Sequence, residues 1–297
     1  HGLARMGPTF GSMLYSGKKA AAIAAEKIKE LERYATKAII FLLKINKVFL
    51  YDEPTVPEIQ IEKLQKFLKD TFPIKVEIRK NFLEYSSKDV FEKIASVRIF
   101  DLKKPFQKYA PSLKEIEVEK KNQDTSGQEE MFLYDGFKIQ EIISDVIPKN
   151  ENRLDTLHVF FTNKITCTFD ESDFRYHARA LISSNPTIIS TSGIVEAPAK
   201  PKQFYFELMS DFSNERVDEV KKKYKGEFLE YHDPRTSQVM EGYLLQTIMY
   251  QETGEIFCDQ NDCRLFNSHW QKDLLYTQIE NKKFCKKHLE IIKKMSN

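Results

Sequence analysis

The chain has 297 residues, with 46 Lys and Arg against 44 Asp and Glu, for a formal charge of +2. That balance excludes a strongly basic nucleic-acid binder and an acidic tail protein, and 41% hydrophobic residues, including 22 Phe and 13 Tyr, exclude wholesale disorder. The longest purely apolar runs, Ala20–Ala25 and Ala38–Leu43, fall far short of the roughly 20 residues of a spanning helix, and no secretory pattern is present, so the expected compartment is the cytoplasm.

In chain order, a glycine-rich turn leads into a small-residue helix from about Ser12 to Tyr34. The chain starts at His1 rather than Met, which predicts a fragment or a processed product. From residue 35 the pattern is α/β. Lys47–Tyr51 reads as a strand, and a helix from near Pro57 places Ile61, Leu64, Phe67 and Leu68 on one face. Lys75–Ile78 is a second strand, a helix begins near Ser87, and Ser96–Phe100 is a short strand. Residues 117–130, nearly all polar, predict a linker or mobile loop. Leu157–Thr162 and Lys164–Phe169 read as two strands of a hairpin, 171–183 as a helix and Thr187–Ser190 as a strand. Ile194–Lys202 reads as an exposed loop, Gln203–Leu208 as a strand and Asn214–Tyr224 as a helix. Asp233-Pro234 opens a long helix that Gly254 stops. The expected domains are therefore 1–34, 35–130 and 131–297.

Three of the four cysteines lie at 258, 263 and 285. Four residues separate Cys258 from Cys263, and two separate Cys285 from His288. Two such pairs offer three thiolates and an imidazole, the donor set of a closed, tetrahedral structural zinc site. The Cys-x-x-His opens a helix, whose N-terminal dipole favours the thiolate. His269 is the rival fourth ligand. The lysine-rich runs 221–225 and 282–294 sit on amphipathic helices and read as solvated faces, so nucleic acid is not the expected partner.

Two stretches resemble known families. Residues 5–21, RMGPTFGSMLYSGKKAA, are similar to the C-terminal tail of the sulfide-dependent thiamine thiazole synthase family. That resemblance implies a substrate-contacting role for Arg5, Met6 and Gly7. It covers about a tenth of the chain, and no G-x-G-x-x-G follows any strand, so it points to a fused or displaced tail. The last 50 or so residues resemble the archaemetzincin family of zinc metallopeptidases, whose H-E-x-x-H-x-x-G-x-x-H motif runs directly into a C-x4-C pair. Here Cys258 and Cys263 match that pair, Leu265 stands where the family has methionine, and Cys285 with His288 closes the site. The stretches around 157–180 and 193–201 look like a metallopeptidase branch of the same kind.

The resemblance implies an α+β fold: a metzincin-like mixed sheet with helices and a C-terminal zinc knuckle, plus a small N-terminal α/β region. It also exposes a departure. Counted back from Cys258, the three zinc histidines become Thr247, Gln251 and Phe257, the catalytic glutamate becomes Ile248, and only Gly254 survives. A hydrolytic zinc needs basic ligands and a carboxylate for its water. The expectation is a zinc-binding protein without the standard hydrolytic centre that acts as a binding or regulatory module for a protein or peptide partner. The rival is a hydrolase rebuilt from His158, His177, His232, Asp233 and Glu241, with Asp173 orienting His177. A third reading takes the chain as the end of a thiazole synthase fused to an unrelated domain.

Overall fold

The computed structural model describes residues 26–29, 45–121, 131–210 and 213–296. The chain forms two compact units, 1–44 and Ile45–Asn297. Within the first, only the helical turn 26–29 is described, so Arg5, Met6 and Gly7 lie outside the described residues.

The second unit is α+β, built around two sheets. Strands β1 (Lys47–Tyr51), β2 (Lys75–Arg79), β5 (Thr156–Thr162), β8 (Leu181–Ile182) and β9 (Thr187–Ser190) form a five-stranded sheet in the order β2-β1-β5-β9-β8. All its pairings are parallel except β8 with β9. Strands β3 (Arg98–Ile99), β4 (Leu133–Asp135), β6 (Ile165–Asp170) and β7 (Arg175–Arg179) form a second sheet in the order β3-β4-β6-β7. Strands from before and after residue 130 pair in both sheets, β1 with β5 and β3 with β4.

Alternation along β1 and β5 divides the core. Val48, Leu50, Val159 and Phe161 face helices α1 (Ile61–Thr71) and α8 (Thr236–Thr253). Phe49, Tyr51 and Phe160 face α2 (Val90–Ala95) and α4 (Gly136–Ser144). A parallel sheet covered on both faces buries its central strand throughout, and every residue of β5 is buried. Helix α8 ends at Gly254, whose φ of +75° is open to glycine at little cost and whose N–H closes on the Tyr250 carbonyl at 2.8 Å.

The structure corrects several local readings. Residues 117–121 belong to helix α3 (Leu113–Lys121), and Glu119 within it is buried. Its charge is held by Arg98, Lys164 and the Tyr134 hydroxyl, partners that polar composition could not reveal. Strands β5 and β6 form no hairpin; they leave for different sheets. The carbonyls of residues 162, 163 and 164 are instead taken by the hydroxyls of Thr191, Ser192 and Ser190. Residues 171–183 are not a helix but the hairpin turn, β7 and β8. Ser172 N–H and Oγ–H donate to Asp170 Oδ1 at 2.9 and 2.6 Å, which closes the turn, and Tyr176 points inward to donate to Asp135. Residues 194–196 lie in helix α5 (Thr191–Glu196), with Ile194 fully buried, rather than in an exposed loop. Residues 203–208 form helix α6 (Lys202–Ser210) rather than a strand. The β-propensity of Phe-Tyr-Phe yields because Phe204 and Leu208, one helical turn apart, pack on Val220 of α7 (Asn214–Lys223) and on Tyr224 just after it.

Candidate functional site

The C-terminal knuckle is assembled by short-range geometry. Cys258 N–H donates to the Leu265 carbonyl at 2.7 Å and Cys263 N–H to the Gln260 carbonyl at 3.0 Å, so residues 258–266 fold back on themselves. Arg264 N–H then donates to the Lys283 carbonyl at 2.6 Å, which brings the second ligand pair alongside the first. Cys285 immediately precedes helix α10 (Lys286–Ser296), one turn before His288.

Cys258, Cys263, Cys285 and His288 are all buried, and one donor atom from each lies within 4.8 Å of the others, a group that could hold a metal ion. The Cys258 and Cys285 sulfurs are 3.9 Å apart, and His288 Nδ1 is 3.1 Å from Cys285 Sγ and 3.6 Å from Cys263 Sγ. Tetrahedral ligands at about 2.1–2.3 Å from zinc sit roughly 3.5–3.8 Å from one another, so the residues fit the ion. The other ring nitrogen, Nε2, is buried with no partner among the described residues, so the imidazole meets the fold through the two sulfurs around Nδ1. Burial pushes the Cys258 thiol up and the Cys263 thiol to about 12, against the pull of backbone N–H groups. Burial, with Lys287 nearby, pushes His288 down, which favours the uncharged ring that a metal ion needs. A divalent ion entering this pocket would displace thiol protons. His269 is not part of the group; its backbone carbonyl accepts from Ala199 N–H.

Beside the knuckle lies a cleft of about 510 Å³. One wall is the run Ala178–Ser183 of β7 and β8; the other carries Tyr243, Gln246 and Tyr250 from α8, and Phe266 to His269 close one end. Gly193 positions the strand wall: a Cβ there would meet the Arg179 carbonyl oxygen at 2.2 Å, so only glycine lets helix α5 approach so closely. Of the positions aligned with a hydrolytic motif, Thr247 is fully buried with its hydroxyl on the Tyr243 carbonyl, and Ile248 packs in the core. Phe257 lines the cleft. Sequence reasoning missed Tyr243, Gln246 and Tyr250, although their spacing puts them on one helical face; Arg179 was missed too, inside the stretch 171–183 read as a helix.

The remaining candidates are scattered. His158 sits behind the sheet, its Nδ1 3.1 Å from Tyr51 Oη and its Nε2 3.2 Å from the Glu151 carbonyl. His232 faces Glu58, Asp233 pairs with Arg235 and Glu241 with Arg264. His177 lies on β7, not on a helix, and meets Asp173 at 2.8 Å across the hairpin turn; with Asp170 these residues form the second group, among the described residues, that could hold a metal ion.

The described residues thus set a Cys3His group that could hold a metal ion beside a cleft. The chain belongs to the probable metallopeptidase family (DUF6775), whose sequence model matches residues 44–295. A search of curated proteins finds no match. Among solved structures, the crystal structure of archaemetzincin from Methanopyrus kandleri is similar at 8% identity over 84% of this chain and 94% of that one, with a TM-score of 0.36, a likeness too weak to argue from. Residues 1–43 lie outside the matched residues, and no comparison supports the resemblance of 5–21 to a thiazole synthase.

Proposed function

We propose that this chain is a zinc-holding member of its family whose cleft binds a peptide segment without cutting it by the metzincin route. Zinc at Cys258, Cys263, Cys285 and His288 would be structural, since four protein ligands leave no open position for water. The observation that carries the reading is the face α8 turns to the cleft: Tyr243, Gln246 and Tyr250 supply neither a basic ligand set nor a carboxylate. The cleft's volume is in the range of ligand sites. A second reading, a hydrolase rebuilt on Asp170, Asp173 and His177, draws support from cross-strand register: His177 opposes Thr168, which lines the cleft.

The two readings separate by metal count and turnover. Purified, zinc-loaded protein should hold one zinc per chain by elemental analysis and show no chelator-sensitive cleavage of unstructured peptides. Two metals per chain, with cleavage abolished by His177→Ala while one zinc remains, would overturn the proposal in favour of the second reading.

A further inference from the structure

Six consecutive residues, Ala178 to Ser183, line the cleft. Successive side chains of a strand point to opposite faces, so a run unbroken through Ala180, where the chain passes from the end of β7 to the start of β8, reaches the cleft with backbone as well as side chains. β7 and β8 are each the last strand of their sheet; the Ala180 and Ser183 carbonyls already accept from Ser190 N–H and Gln140 Nε2, and an edge strand can pair with another chain through its remaining outward groups. Among the described residues, two buried acceptors of cleft-lining residues have no partner: Ser183 Oγ, and Oε1 of Gln246, a residue only 2% exposed. Both suit donors from an incoming backbone.

The cleft's charge is equally one-sided. Of its lining residues Arg179 alone carries a formal charge. Its Nε donates to Thr168 Oγ1 at 2.8 Å, and no ion pair holds it among the described residues, which leaves the two terminal nitrogens of the guanidinium for a ligand. That fork matches a carboxylate in a bidentate pair.

We infer that the cleft's ligand is an extended segment of a partner polypeptide that adds to the β7–β8 edge and sets an aspartate or glutamate side chain against Arg179. The inference rests on the peptide-binding reading above and adds to it the chemistry of the partner. Gln246 and Ser183 accept from the segment, and the tyrosines of α8 cover its other side.

The test uses the full chain and two fluorescein-labelled heptapeptide pools, degenerate at the outer positions and carrying valine on either side of a central glutamate in one pool and glutamine in the other. Fluorescence anisotropy should show the glutamate pool binding at least about tenfold more tightly, the scale of a hydrogen bond to a charged group. Arg179→Gln should abolish the preference and Arg179→Lys retain part of it, both with unchanged zinc content and melting temperature. Equal binding of the two pools, or a preference that survives Arg179→Gln, overturns the acidic-partner inference while leaving the cleft as a peptide site. Failure of both pools to bind the parent protein overturns the peptide reading itself, and chelator-sensitive cleavage of a bound pool overturns only its non-hydrolytic part.

Discussion

Glutamate 119 should be among the least replaceable residues of the fold. It is 3% exposed, and its carboxylate accepts from the Arg98 guanidinium, from the Tyr134 hydroxyl at 2.7 Å and from Lys164 Nζ at 2.9 Å. Arg98 and Lys164 are themselves buried, at 4% and 7% exposure. Glu119→Gln keeps the volume and removes the charge, so both cations remain in the interior without their partner. Breaking a buried pair in this way costs about 3–5 kcal/mol. Lys164 keeps the attraction of the buried Glu53 nearby, which favours the lower end. At about 2–4 °C per kcal/mol for a unit of this size, the melting temperature should fall by roughly 6–12 °C.

The pH dependence has a definite sign. Burial raises the Glu119 carboxyl, but Lys164, Tyr134 and Arg98 more than offset it and hold it below the ordinary glutamate value of 4.5. A depressed carboxylate contributes its stability fully above the unfolded value and loses it as pH falls through the folded one. Urea unfolding of parent and Glu119→Gln should therefore differ most at pH 6–7 and converge as the pH drops below about 4.5. A variant within about 1 kcal/mol of the parent at pH 7, or a deficit that widens on acidification, would refute the reasoning.

Three further outcomes follow from the geometry. Cys263→Ser should lose the zinc and loosen residues 254–296, because structural zinc supplies about 10–16 kcal/mol of apparent binding energy; full zinc content with an unchanged melt would sink the knuckle assignment. Gly193→Ala should cost about 1–3 kcal/mol and weaken peptide binding, since the new methyl group must push the Arg179 carbonyl away; an unchanged melt and unchanged anisotropy would contradict that. A chain starting at Lys44 should fold and keep its zinc, because Ile45–Asn297 is a compact unit with its own cores; circular dichroism showing an unfolded chain would refute it.

The grouping of the knuckle residues was legible in the sequence because its rules are local. Thiols and an imidazole at four- and two-residue spacings can meet through tight turns and one helix start, and the four donors do lie within 4.8 Å. Continuous apolar runs likewise marked β1 and β5, and capping glycine marked the end of α8. The ends of 171–183 and 203–208 were not legible, because helical and strand periods are nearly degenerate over such short stretches, and packing partners decided between them. Glu119 looked like part of a solvated linker because a buried charge is distinguished only by its partners, and Arg98 and Lys164 come from distant segments. The cleft is wholly tertiary. Arg179 on an edge strand and Gln246 on a helix acquire a shared purpose only when β8 ends its sheet beside α8, and no spacing within either element encodes that meeting.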